Sequence, residues 1–202
     1  MSLPPLLLAS ASPRRLELLR EAGLEAQVLT ASTEEVAPEH LTPHETAMIN
    51  AYRKAHAVAK RAPDHLVLGA DTVVALGTRM FGKPATREEA AAMLRALAHK
   101  EHDVVTGVCL IHLRAHRQRM FAVSTRVRFH PLTPGQIEDY LARINPLDKA
   151  GGYALQEHGA MIVEEIRGSY TNVVGLPVEH LKAELREWVV GAPAGARPRR
   201  PG

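Results

Sequence analysis

Ser10, Ser12, Arg14 and Arg15 fall within six residues of one another. They lie where an apolar stretch, Leu6 to Ser10, runs into a helical pattern. Pro13 suits a first helical position, because the N–H it lacks is not needed there. Ser12 is then a natural N-cap. Two hydroxyls, the free N–H groups of a helix start and two guanidinium groups converge on one point. Such a point suits a polyanion, since the helix terminus favours negative charge and Arg matches phosphate oxygens bidentately. An ordinary capped helix with solvated arginines fits these residues equally well.

Four further clusters carry reactive groups. Gly69-Ala70-Asp71-Thr72-Val73 places an acid at the end of an apolar strand, where a general base or a metal-binding carboxylate is commonly found. A plain turn aspartate fits the same pattern. Phe81-Gly82-Lys83-Pro84 holds a lysine on a constrained loop, a point charge for a phosphate or a solvated loop residue. Glu34-Glu35 follows a short apolar segment, and Lys54 lies within a helical pattern; alone, neither is specific. In Asp148-Lys149-Ala150-Gly151-Gly152-Tyr153-Ala154-Leu155-Gln156, the glycines permit close backbone approach to a ligand. Gln156 offers both a donor and an acceptor, as the edge of a nucleobase requires. The sequence contains no Gly-x-x-x-x-Gly-Lys-[Ser/Thr] loop, no Gly-x-Gly-x-x-Gly and no His-Glu-x-x-His. The eleven histidines are scattered, and the pairs His40/His44 and His112/His116 lack a third ligand nearby.

The elements that must position these residues are read from periodicity and caps. Strands are expected at Leu6 to Ser10, Val28 to Thr30, Leu66 to Ala70 (with Thr72 to Leu76 continuing it or pairing back) and Ile162 to Ile166. Asp103 to Leu113 and Met120 to Phe129 alternate like a long antiparallel hairpin. Helices are expected from Arg14 to Ala22, with Gly23 as the stop, and from Pro177 to Trp188. Three more open at the capping boxes Thr42-Pro43-His44-Glu45, Thr86-Arg87-Glu88-Glu89 and Thr133-Pro134-Gly135-Gln136. Interleaved helices and strands make the class α/β, and the hairpin excludes a purely parallel sheet.

The chain has 202 residues, with 25 basic and 22 acidic side chains. The segment 191–202 carries Arg197, Arg199 and Arg200 and no acid, so the remainder is neutral. A broad nucleic-acid face is therefore not expected, and 4% aromatic residues speak against stacking platforms. One domain is expected over residues 1–190, followed by a disordered basic tail at 191–202. The apolar run near the start is too short for a membrane span and lacks the basic flank of a signal peptide. The single cysteine, Cys109, lies in an apolar run and allows no internal disulfide. A cytoplasmic location is expected.

Taken in order, these clusters resemble the Maf family of nucleoside triphosphate pyrophosphatases. The matching pieces are Ser10-Ala11-Ser12-Pro13-Arg14-Arg15, Glu34-Glu35, Arg53-Lys54-Ala55, Gly69-Ala70-Asp71-Thr72, Gly82-Lys83-Pro84, His102 to Val108 and Asp148 to Gln156. The resemblance covers roughly residues 6 to 188. It implies an elongated mixed-sheet fold, similar to inosine triphosphatases, with two lobes around a cleft. It also implies cleavage between the α and β phosphates with a divalent cation, Mg²⁺ or Mn²⁺. Ser10, Ser12, Arg14, Arg15, Lys54, Thr72, Lys83 and Gln156 would bind substrate. Glu35 would hold the metal, and Asp71 would orient or deprotonate the attacking water, with metal ligation beside Glu35 as its competing role. Arg15, Thr72 and Gln156 match the subgroup similar to dTTP/UTP pyrophosphatases; the alternatives are the 7-methyl-GTP subgroup and a non-catalytic regulator of cell division. Glu157-His158 departs from the small residues of many relatives. The expected partners are the nucleotide and, at most, a second copy of the chain.

Overall fold

The computed structural model describes residues 3–38 and 40–190. Strands and helices alternate as β1 (Leu6–Leu8), α1 (Pro13–Glu21), β2 (Gln27–Val28), α2 (Pro43–Ala59), β3 (Leu66–Leu76), β4 (Arg79–Phe81) and α3 (Arg87–Leu97). They continue as β5 (Glu101–His112), β6 (Arg117–Phe129), α4 (Pro134–Leu141), β7 (Val163–Arg167), α5 (Tyr170–Val174) and α6 (Val178–Val190). The class is α/β with one mixed sheet in the order β2-β1-β3-β5-β6-β7, and β4 pairs with β3. β1 runs parallel to β2 and β3, and every other pairing is antiparallel.

Local chemistry explains most helix starts. Thr42 and Thr133 form complete capping boxes with Glu45 and Gln136. At Thr86 the box is half made, because the Glu89 carboxylate accepts from Ala85 N while Thr86 accepts from Glu89 N. Ser12 holds the N-cap position of α1, but its hydroxyl makes no cap bond. Its own N–H donates to Ser10 Oγ at 3.3 Å instead. β3 is one uninterrupted strand of 11 residues. β4 and α5, with 3 and 5 residues, are too short for periodicity to reveal.

The contact between α2 and the sheet is unusually close. Gly69 on β3 and Gly107 on β5 face the helix. A Cβ on Gly69 would overlap the Ala51 carbonyl oxygen and lie 2.8 Å from Ala55 N. A Cβ on Gly107 would overlap the Ala47 carbonyl. Ala47, Ala51 and Ala55 are fully buried there. Small residues on both sides let the helix axis settle onto bare strand backbone, which lowers Asn50 and Lys54 to the level of β3.

One edge of β3 is interrupted. β1 pairs with it only as far as Leu8↔Leu68, and β4 begins at Val74↔Phe81. Between them lies an open stretch centred on Asp71 and Thr72. Successive strand residues point to opposite faces. Val67 and Val73 pack toward α2, whereas Leu66, Leu68 and Ala70 pack against α1 and α6. Asp71 therefore serves the α2 face and Thr72 the other. No helix among the described residues is long and apolar enough to cross a membrane. The expected basic tail lies outside the described residues.

Replacing Gly69 by Ala is expected to destabilise the protein by about 3 kcal/mol or to prevent folding, since the clash is with backbone. Gly135→Ala, at a helical position with open space around it, is expected to stabilise by about 0.4–1 kcal/mol. Urea unfolding of both variants checks the contrast; equal stabilities would refute the close-packing account.

Candidate active site

The open stretch of β3 forms the floor of a cleft of about 560 Å³. The ten residues singled out from sequence, Ser10, Ser12, Arg14, Arg15, Glu35, Lys54, Asp71, Thr72, Lys83 and Gln156, all line it.

On the α2 face the acids and lysines form one network. Lys54 Nζ donates to Asp71 Oδ1 at 2.6 Å and to Glu35 Oε1 at 2.7 Å. Lys83 Nζ reaches the same Glu35 oxygen at 3.1 Å. Burial alone would raise the Glu35 carboxyl, but the hydrogen bonds and charges of Lys54 and Lys83 outweigh it and hold it at about 2. Asn50, which sequence reasoning missed, completes the arrangement. Its Nδ2 donates to Asp71 Oδ2 at 3.2 Å and to Val36 O at 2.9 Å, and its Oδ1 accepts from Val36 N at 2.9 Å. The reverse amide orientation would set oxygen against both acceptors, so the network fixes it. Asn50 thus ties the irregular segment carrying Glu35 to Asp71. Its one sequence signal was a polar residue on the alanine stripe of α2.

The opposite face of β3 holds Arg15. The sequence suggested a phosphate ligand at a helix start; the structure buries Arg15 to 9% exposure and holds its fork on three sides. Nε donates to Gly175 O at 2.8 Å, Nη1 to Ser10 Oγ at 2.9 Å and Nη2 to Thr72 Oγ1 at 3.1 Å. Burial lowers the guanidinium pKa, against the raising effect of Asp71 and Glu35. Two of its five N–H groups have no protein partner among the described residues. Thr72 Oγ1 also lies 3.0 Å from Thr106 Oγ1.

The far wall comes from the segment after α4. Arg14 crosses to it, with Nη1 3.1 Å from Asp148 Oδ2. Lys149 is buried and paired with Asp148 at 2.8 Å and Glu157 at 3.2 Å, so Glu157, the departure noted in the sequence, anchors this wall. Gln156 is exposed on the wall. Tyr153 is backed by His102, whose Nε2 lies 2.9 Å from the phenol oxygen. Gly151 and Gly152 both have positive φ, at 71° and 73°, so the chain turns here in a way that favours glycine.

Among the described residues no group of three or more His, Cys, Asp or Glu is placed to hold a metal ion. Glu35 and Asp71 nevertheless reach one Lys54 nitrogen, which puts two carboxylates side by side at the cleft. One or two carboxylates completed by substrate phosphates is the usual donor set for Mg²⁺. The pair fits such an ion.

A family model described as Maf-like protein matches residues 5–188. The chain belongs to the Maf family. A dTTP/UTP pyrophosphatase from Geobacillus sp. (strain WCH70) is 46% identical to this Maf protein over 181 residues, 90% of this chain and 96% of the relative. Another of that name from Pelotomaculum thermopropionicum is 45% identical over 183 residues, covering 91% and 96%. Among solved structures, the Ham1 protein of Staphylococcus aureus is similar in fold, with a TM-score of 0.53 and 15% identity over 91% of this chain and 99% of that one.

His102 generates a pH prediction. Burial pushes its imidazole down to about 4 from the ordinary 6.5, against the raising effect of Asp103. Between those values the unfolded chain binds a proton that the folded protein refuses. The stability is fully present above pH 6.5 and falls as pH drops toward 4, by up to about 3 kcal/mol. His102→Gln should flatten this loss in urea unfolding at pH 7 and pH 4.5. An unchanged loss in the variant would assign the acid sensitivity to other groups.

Proposed function

We propose that this Maf protein hydrolyses dTTP and UTP to the monophosphate and pyrophosphate. The observation that carries the reading is the Asp71–Lys54–Glu35 network in a cleft also lined by Arg14, Arg15 and Lys83. A triphosphate brings about four negative charges near neutral pH, and fixed cations stabilise the charge that develops on phosphoryl oxygens. Water attacks the α-phosphorus, its oxygen bonds to phosphorus, and the bond to the bridging oxygen of the β-phosphate breaks. Asp71, with one oxygen held by Lys54 and the other by Asn50, orients that water and accepts its proton. Lys54, Lys83 and Arg14 hold the phosphates. Glu35 is the carboxylate that would hold a Mg²⁺ or Mn²⁺ ion, with Asp71 beside it as a ligand in the alternative to its role as base; the ion when bound would neutralise phosphate charge. Gln156 offers a donor and an acceptor to the imide edge of uracil or thymine. The names of the Geobacillus and Pelotomaculum relatives support this substrate class over 7-methyl-GTP and over a purely regulatory role.

We infer a cytoplasmic location, with which a lone, buried and free Cys109 is compatible. The nucleotide is the partner this reading requires, and a homodimer is compatible with it.

The purified protein is expected to release pyrophosphate from UTP and dTTP and to act much more slowly on ATP and GTP; orthophosphate release, or equal rates on all four, would refute the reading. Asp71→Asn keeps the shape but removes the charge, and turnover should fall by roughly 10²-fold or more while nucleotide binding persists. Gln156→Ala should lower kcat/KM for UTP by about 1–3 kcal/mol in transition-state terms, with pyrophosphate inhibition unchanged. A variant that keeps its full pyrimidine preference would remove Gln156 from base recognition.

A further inference from the structure

Thr72 and Arg15 line the cleft, and the hydrogen bond behind Thr72 runs to Thr106, which does not. Thr106 Oγ1 donates to the backbone oxygen of Asn172 at 3.0 Å. A carbonyl only accepts, and a hydroxyl has one hydrogen, so the Thr106 hydrogen is committed there. The 3.0 Å bond between the two threonines must then run from Thr72 to Thr106. The Thr72 hydrogen is committed in turn, and Thr72 faces Arg15 and the cleft as an acceptor. Arg15 Nη2 donates to that oxygen, and Arg15 Nε donates to Gly175 O. Gly175 N closes the circuit on Asn172 O at 3.1 Å. Every bond in this ring has one allowed direction.

We propose that Thr106, fully buried on β5, is a positioning residue for base selection, acting by fixing the hydroxyl of Thr72 and through it the fork of Arg15. The proposal rests on the pyrimidine-nucleotide reading given above. With the ring closed, Arg15 presents its two unpartnered N–H groups to a pyrimidine carbonyl, and Thr72 cannot rotate to offer a competing donor. Asp71, Lys54 and Asn50 lie on the other face of β3, so the ring can be disturbed while the hydrolytic groups stay in place.

The experiment compares Thr106→Val with Thr106→Ser, using UTP and GTP as substrates and pyrophosphate release as the readout. Val keeps the volume and removes the acceptor; Ser keeps the hydroxyl and trims a methyl. The Val variant should show a KM for UTP raised about tenfold and a UTP-over-GTP preference lowered by a similar factor. Its kcat should stay within about threefold. The Ser variant should keep the wild-type preference. Should the Val variant not fold, Thr106→Ala makes the same comparison. On a Thr72→Val background the Thr106→Val change should alter the preference no further, because the bond it breaks is already gone. A wild type without the UTP preference overturns both the functional reading and this proposal. A wild type with it, and a Val variant that retains it, overturns the proposal alone. Equal losses in Ser and Val, or a fall in kcat with KM unchanged, also overturn it.

Discussion

The seating of α2 on the bare backbone of β3 and β5 is the constraint on which the cleft depends. Asp71 is on a strand and its partners Asn50 and Lys54 are on a helix. An amide reaches only a short distance, and Asn50 must touch both Asp71 and the Val36 backbone. With side chains at Gly69 and Gly107 the helix would stand farther off, as ordinary helix–sheet layers do, and the amide would fall short of the carboxylate. The alanines of α2 complete the same requirement from the helix side. Conformational freedom is not what these two glycines provide, since neither has a positive φ; their use is the absence of a side chain.

The interrupted edge of β3 then decides what that proximity serves. Strand partners on both sides would have covered the Asp71–Thr72 stretch. Because β1 stops early and β4 starts late, both faces of the strand meet in one cleft. The acid–lysine network lies on one face and the arginine ring on the other. One dipeptide joins two recognition tasks, and the sheet keeps them apart.

Much of this was legible because its causes are local. Thr42 and Thr133 reach only three residues, and their boxes formed as their sequences require. The hairpin pattern of β5 and β6 was legible too, although β5 is buried on both faces and only the last residues of β6 alternate between buried and exposed. Asp71, Lys54 and Lys83 were recognised through a family likeness, and the cleft assembles them. What escaped notice depends on distant partners. Arg15 was read from its place at a helix start, but the bonds that hold it go 57 and 160 residues along the chain. Ser12 occupies a cap position whose side-chain bond is not made, and its N–H donates to Ser10 Oγ. Asn50 and Thr106 are ordinary residues in a helix and a strand until the tertiary fold reveals what they hold.

The span of these contacts also orders the protein's birth at the ribosome. The β5–β6 hairpin and α2–β3 contacts join segments close in sequence and can form while synthesis continues. The cleft cannot, because Arg14 waits for Asp148 and Arg15 for Gly175, near the far end of the chain. During most of translation, the arginine-bearing start of the chain is without the carboxylate and carbonyl that later hold it. The two walls of the cleft are therefore joined only after Asp148 and Gly175 have been made.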